Sequence, residues 1–163
     1  MRLALIAIVL ALAVPALAQG IAGPARVIDG DTLEVAGQRI RIHAIDAPEA
    51  RQHCSTEMDR TACGQRATQE MSDLIAGEPV RCEKRDIDRY GRIVAVCSNH
   101  EGEDLGRAMV RGGWALAYRQ YGLDYVADEE AANATQEGMW ETTFVAPWDW
   151  RRGFNLPYQL PDA

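Results

Sequence analysis

Four short stretches of the chain gather acids and bases: "DGDT" at 29–32, "RIRIHAIDAPE" at 39–49, "DRYGR" at 88–92 and "GGWALAY" at 112–118. A hard divalent cation takes oxygen ligands, and two or three carboxylates with a carbonyl and waters leave a shell that a phosphate oxygen can enter. Such an ion polarises a phosphorus–oxygen bond, while guanidinium groups stabilise the charge that builds on the equatorial oxygens. Arginine's planar fork grips phosphate at two points at once. Glu49, three residues past Asp46, is spaced to orient or deprotonate a water for in-line attack.

The stretch "VIDGDTLEV" (27–35) decides where two of these acids point, and it reads in two ways. As a strand, alternation puts Asp29 and Asp31 on the apolar side with Val27, Leu33 and Val35. Two carboxylates there need a metal, another cation or solvent to offset the cost of burying charge. As a hairpin, Asp-Gly forms the turn and both aspartates face water.

The elements that must position these residues follow from periodicity. Residues 25–28, 32–36 and 38–45 read as three consecutive strands, with Gly37 turning the chain between the last two. In the third, Ile40, Ile42 and Ala44 alternate with Arg39, Arg41 and His43. Strict alternation therefore separates Arg41 from Asp46, and a bulge or bend near Ile45 is needed to bring both to one site. Residues 62–77 read as a helix, because Ala67, Met71, Leu74 and Ile75 share a stripe and Gly77 and Pro79 end it. Residues 80–85 and 93–97 return to strand. Helices are expected at 104–112, starting at Asp104, and at about 124–138. Five short strands with segregated helices point to an α+β fold: a five-stranded antiparallel OB-type barrel carrying about three helices.

The ends and the cysteines set the compartment. The first 18 residues, with Arg2, an apolar run at 3–14 and Ala16-Leu17-Ala18 before Gln19, read as a cleavable signal peptide. Residues 19–163 are then a single domain, with 143–163 as a C-terminal extension, in a secreted or periplasmic protein that leaves the membrane on cleavage. Four cysteines in a small exported domain suggest two disulfides. A symmetric turn at 88–91 would place Cys82 opposite Cys97, leaving Cys54 for Cys63.

The formal net charge is -7, which argues against tight, sequence-indifferent binding of nucleic acid, whose binders are usually basic. It leaves room for a local basic cleft, and Lys84 is the only lysine among the 17 basic residues. His43, His53 and His100 have no evident partners and read as surface residues. Trp114, Trp140, Phe144, Trp148 and Trp150 read as packing groups, and "APWDWRR" (146–152) as an anchor for the C-terminus.

Taken together and in this order, the four stretches closely resemble the staphylococcal nuclease, or thermonuclease, family, over about residues 25–140. The resemblance implies the OB-type barrel and calcium-dependent hydrolysis of DNA and RNA phosphodiesters, and the reading that follows is a monomer that cleaves single-stranded or frayed nucleic acid with little sequence preference. It makes Asp31, Asp46 and the backbone carbonyl of Ala47 the Ca2+ ligands, with Asp29 acting through water. Glu49 matches the carboxylate beside the attacking water, and Arg41 and Arg92 the two phosphate-binding arginines. Arg89 and Tyr90 flank the nucleotide and Tyr118 lines the cleft. On this reading Asp29 and Asp31 face inward because calcium compensates them. The alternative is a catalytically silent OB-fold module that binds a protein or a saccharide.

Overall fold

The computed structural model describes residues 20–56 and 58–161. The signal peptide expected at 1–18 lies outside the described residues. The strands are β1 (Ile21–Gly23), β2 (Ala25–Asp29), β3 (Thr32–Val35), β4 (Gln38–Ile42), β5 (Ile45–Asp46), β6 (Cys54–Ser55), β7 (Arg60–Thr61), β8 (Val80–Ile87), β9 (Ile93–Ser98) and β10 (Leu116–Ala117). The helices are α1 (Cys63–Ile75), α2 (Leu105–Arg111), α3 (Val126–Thr135) and the short α4 (Pro147–Trp150), with a 3-10 turn at Gly138–Glu141.

Six strands form one sheet in the order β1-β8-β9-β4-β3-β2. This corrects the expectation of five antiparallel strands in two respects. Residues 21–23 add a sixth strand on β8, and β4 pairs with β9 in parallel, Arg41 opposite Val94. The parallel pair is possible because a long crossover, containing α1 and β8, separates β4 from β9. The two edge strands, β1 and β2, are consecutive in the chain with only Pro24 between them. That connection brings the two ends of the curled sheet together, although among the described residues no ladder joins β1 to β2.

One face of the sheet packs Leu33, Val35, Ile40 and Ile42 against Ala67, Met71 and Ile75 of α1 and Leu105 and Met109 of α2. Asp104 caps α2, its carboxylate accepting the Arg107 amide at 3.1 Å, as its type and position predict. α3 starts and stops inside its expected range, because Gln136 turns left-handed (φ 56°) and hands the chain to the 3-10 turn.

A second cluster explains the C-terminal extension. Trp140, Phe144 and Ala146 are buried with Leu116, Met139 and the Cys54–Cys63 disulfide, and Trp148 and Tyr158 pack on them. Ser55 exchanges backbone hydrogen bonds with Thr143, and Tyr158 donates its amide to Phe144. The other disulfide, Cys82–Cys97, joins directly paired residues of β8 and β9. Each bridge contributes roughly 2 to 4 kcal/mol by restricting the unfolded chain.

Candidate active site

The aspartates of the opening stretch combine the two readings available from sequence. Gly30 and Asp31 do form the turn between β2 and β3, yet Asp31 is only 3% exposed. The β2–β3 register shifts between Val27 and Asp29, which tucks the turn inward. Gly30 permits it: a Cβ there would lie 2.7 Å from the Ala47 Cβ and 2.9 Å from that of Ala67. The Asp31 carboxylate accepts the Ala47 amide at 2.9 Å and the Thr32 hydroxyl at 3.0 Å, and Asp29 accepts the Asp31 amide at 3.1 Å.

Arg41 supplies the compensating charge. It lies opposite Thr32 in the β3–β4 ladder, one residue from Asp31, and its guanidinium bridges the carboxylates of Asp31 and Asp46. The bond to Asp46 Oδ1 is 2.7 Å, and the same nitrogen donates to the Ile45 carbonyl at 3.1 Å. The bend that this requires is at Ala44, which is left-handed (φ 54°), so β4 ends at Ile42 and β5 starts afresh on a new face. β5 is then held by β10, with Leu116 opposite Asp46 and Ala117 opposite Ile45.

Every residue singled out from sequence lines one open cleft of about 870 Å³ except Asp46, which is fully buried. On one wall are Asp29, Asp31, Arg41, Ala47 and Glu49; on another is the β8–β9 turn. In that turn Asp88 accepts the amides of Tyr90 and Arg92, both at 2.9 Å, and the Arg92 Nε at 2.7 Å. Among the described residues neither terminal nitrogen of Arg92 has a hydrogen-bond partner, and Arg92 lines the cleft. The exposed Tyr90 ring lies under Arg89 and Arg92, with its centroid 5.3 and 5.6 Å from their guanidinium carbons. Arg92 makes no hydrogen bond or ion pair with Asp31, Asp46 or Glu49 among the described residues.

The carboxylates are unevenly supplied with positive charge. Burial and the charge of Asp31 push Asp29 up to about 6. Burial also opposes ionisation of Asp31, but Arg41 and the Ala47 amide outweigh it and hold the group below the usual carboxylate range. Burial raises Asp46 against the hydrogen bond from Arg151. Among the described residues no three His, Cys, Asp or Glu side chains are grouped to hold a metal ion. Arg41 stands between Asp31 and Asp46 instead. The carboxylates of Asp29, Asp31 and Glu49 that line the cleft are nonetheless hard oxygen donors, the kind a divalent cation takes.

Three contributors were not legible in the sequence. Arg151, from the supposed anchor, bonds Asp46 and Glu49. Gln52, fully buried, accepts the Glu49 amide at 3.2 Å and donates to the Val145 carbonyl at 2.6 Å, tying the Glu49 loop to the C-terminal extension. Glu129 of α3 accepts the Ala117 amide and pairs with Arg119, fastening β10 and through it β5. No sequence signal marks any of them, since Arg151 and the Gln52 bond to Val145 act across 102 and 93 residues and Glu129 across a turn between separate elements. His43 is also corrected: it is half-buried, with its Nε2 3.5 Å from Asp124.

Gly64 seats the loop that carries Glu49. A Cβ at Gly64 would overlap the Glu49 carbonyl oxygen. Gly64→Ala is expected to cost about 1 to 3 kcal/mol, as overpacking does. It should also lower activity, because the loop must shift; thermal melting beside a rate measurement checks both.

The cleft thus presents acids and arginines together with an arginine–tyrosine turn, a set of groups suited to holding a phosphate. Residues 39–142 match the family described as Staphylococcal nuclease homologue, and the chain belongs to that family. It is 33% identical over 163 residues to the micrococcal nuclease of Shigella flexneri, covering 90% of this chain and 88% of that one. It is 37% identical over 133 residues to an uncharacterized endonuclease of Escherichia coli, covering 77% and 81%. It is 36% identical over 127 residues to the succinoglycan biosynthesis protein ExoI of Rhizobium meliloti, where it spans 76% of this chain but only 66% of that relative.

Proposed function

We propose that this chain is a secreted or periplasmic, calcium-dependent nuclease that hydrolyses DNA and RNA phosphodiesters with little sequence preference. One observation carries the reading: Asp31 and Asp46 are buried around Arg41 beside a cleft that also holds Glu49 and the open fork of Arg92. The nuclease and endonuclease relatives support it. Residues 19–163 act as one domain, a monomer, and the continuity of β1 with β2 supports an OB-type barrel.

Asp31, Asp46 and the Ala47 carbonyl would hold the calcium, with Asp29 reaching it through water. When bound, the cation would polarise the scissile phosphate and neutralise developing charge. Glu49 orients the attacking water and takes its proton. Arg92 grips the phosphate with both terminal nitrogens, and Arg41 contributes charge from beneath. Arg89, Tyr90 and Tyr118 hold the flanking nucleotide. Five arginines line the cleft against five carboxylates, so it is close to neutral on a chain of net charge -7, and a bound cation would add the positive charge that favours a phosphate.

The test is the purified chain on denatured DNA and on RNA, with calcium or with chelator. Cleavage is expected with calcium alone, with magnesium a poor substitute because it demands tighter octahedral geometry. Asp31→Ala removes a ligand charge and should weaken calcium binding at least about tenfold, read by calorimetry. Undiminished cleavage in chelator would end the calcium assignment. Absence of cleavage under every condition would leave the silent OB-fold module.

A further inference from the structure

The segment "APWDWRR" has no place in the reaction as proposed so far, yet the fold carries it into the cleft. α4 begins at Pro147, a residue suited to a first helical turn, and is seated by two aromatic contacts. The Trp148 ring stacks on Tyr118 with centroids 5.3 Å apart and planes 6° apart, and meets Tyr158 edge-on at 5.6 Å. The Gln52 bond to Val145 fixes the approach. One turn past Trp148, Arg151 projects over the acids. Its Nη2 donates to Asp46 Oδ2 at 2.7 Å, and its Nη1 donates to Asp46 Oδ1 at 3.1 Å and to Glu49 Oε1 at 2.8 Å.

Two features separate this contact from an ordinary surface ion pair. Asp46 is fully buried, so the fork is bidentate on a carboxylate that water cannot serve, whereas exposed pairs contribute little. A single nitrogen, Nη1, also spans two carboxylates that stand on different pieces of chain, one at the end of β5 and one in the loop beyond Pro48. The Glu49 carboxylate has no other hydrogen-bond or ion-pair partner among the described residues. Its carboxylate is oriented from 102 residues away in the chain.

We propose that Arg151 is a positioning residue of the active site: it locks Glu49 to Asp46, so that the C-terminal extension is part of the catalytic machinery rather than an anchor. This rests on the nuclease reading for the task it assigns to Glu49, and it predicts a defined kinetic pattern. Loss of the fork leaves Glu49 free to sample other rotamers, so fewer bound substrates meet a correctly placed base. Turnover falls while substrate affinity is retained. Lysine cannot replace it, because one ammonium cannot make the planar contact with both acids.

The experiment compares wild type, Arg151→Ala and Arg151→Lys on denatured DNA at saturating calcium, with thermal melting as the folding control. Both variants should lose about tenfold or more in kcat with KM within about twofold, and guanidinium ion added to Arg151→Ala should restore part of the loss. Unchanged rates, a loss confined to KM, or no rescue would overturn the assignment. If Arg151→Ala fails to fold, Arg151→Gln, neutral and polar but too short to bridge both acids, takes its place.

A second readout separates this proposal from the nuclease reading. Terbium(III), a luminescent stand-in for calcium, is titrated into the same proteins. Removing a positive charge that touches Asp46 should tighten terbium binding about threefold or more in Arg151→Ala. An inactive wild type that still shows this shift would refute the nuclease reading and keep Arg151 in the acid cluster. Equal terbium affinity, or no terbium binding by either protein, would overturn the assignment of Arg151.

Discussion

Arg92→Lys should lower turnover by on the order of a hundredfold while leaving the melting temperature nearly unchanged. Asp88 already holds the Nε of Arg92, so the two terminal nitrogens act as a fork presented to the cleft. A lysine at this position has one ammonium, and Asp88 and the phosphate would compete for it. Arg41→Lys should cost at least as much in rate, and it should also destabilise the protein. Arg41 spans Asp31 and Asp46, and an ammonium that satisfies one leaves the other buried with less charge to face. Rates of both variants on one substrate at saturating calcium, with calorimetric melting alongside, check the pair. Near-normal rates in both would remove the site from this cleft.

Glu129→Ala should be the most destabilising single change outside the core, at about 3 to 5 kcal/mol. Glu129 is fully buried, accepts the Ala117 amide at 3.0 Å and pairs with Arg119, whose side chain is 27% exposed. Burial pushes its carboxyl up from the ordinary value, with Arg119 and the Ala117 amide opposing that push. Truncation leaves a buried amide without an acceptor and an arginine without its partner, although solvent reaching Arg119 keeps the loss toward the lower end. Because Ala117 pairs with Ile45, the damage reaches the strand that carries Asp46. Glu129→Gln retains an acceptor for the amide and should cost less. Urea denaturation of both variants measures this, and a loss below about 1 kcal/mol for alanine would show that β10 is held by other contacts.

Much of this molecule was legible in local pattern, for local reasons. Alternation and turn residues located β2, β3, β4, β8 and β9, because a half-buried strand must alternate and its hairpin must turn at glycine. The facing of Cys82 and Cys97 was expected from a symmetric turn; the two are paired and bridged, but a register shift between Lys84 and Asp86, not symmetry, brings them opposite. Asp29, Asp31, Arg41, Glu49 and Arg92 drew attention because their chemistry is carried by residue type and close spacing.

Tertiary structure alone decided the rest. Whether the "DGDT" turn faced solvent depended on Ala47 and Ala67 leaving room only for a glycine, and on Arg41 arriving across the ladder. The parallel pairing of β4 with β9 depended on a crossover whose path local propensity does not encode. Gln52 and Arg151 act on residues 93 and 102 positions away, so no window of sequence contains both partners, and Glu129 reaches Ala117 across a helix start and a loop that residue spacing does not orient. Periodicity reports which face of an element is apolar, and residue type reports what a side chain can bond. Which distant carboxylate an arginine meets is settled only when the core closes and fixes the elements against one another.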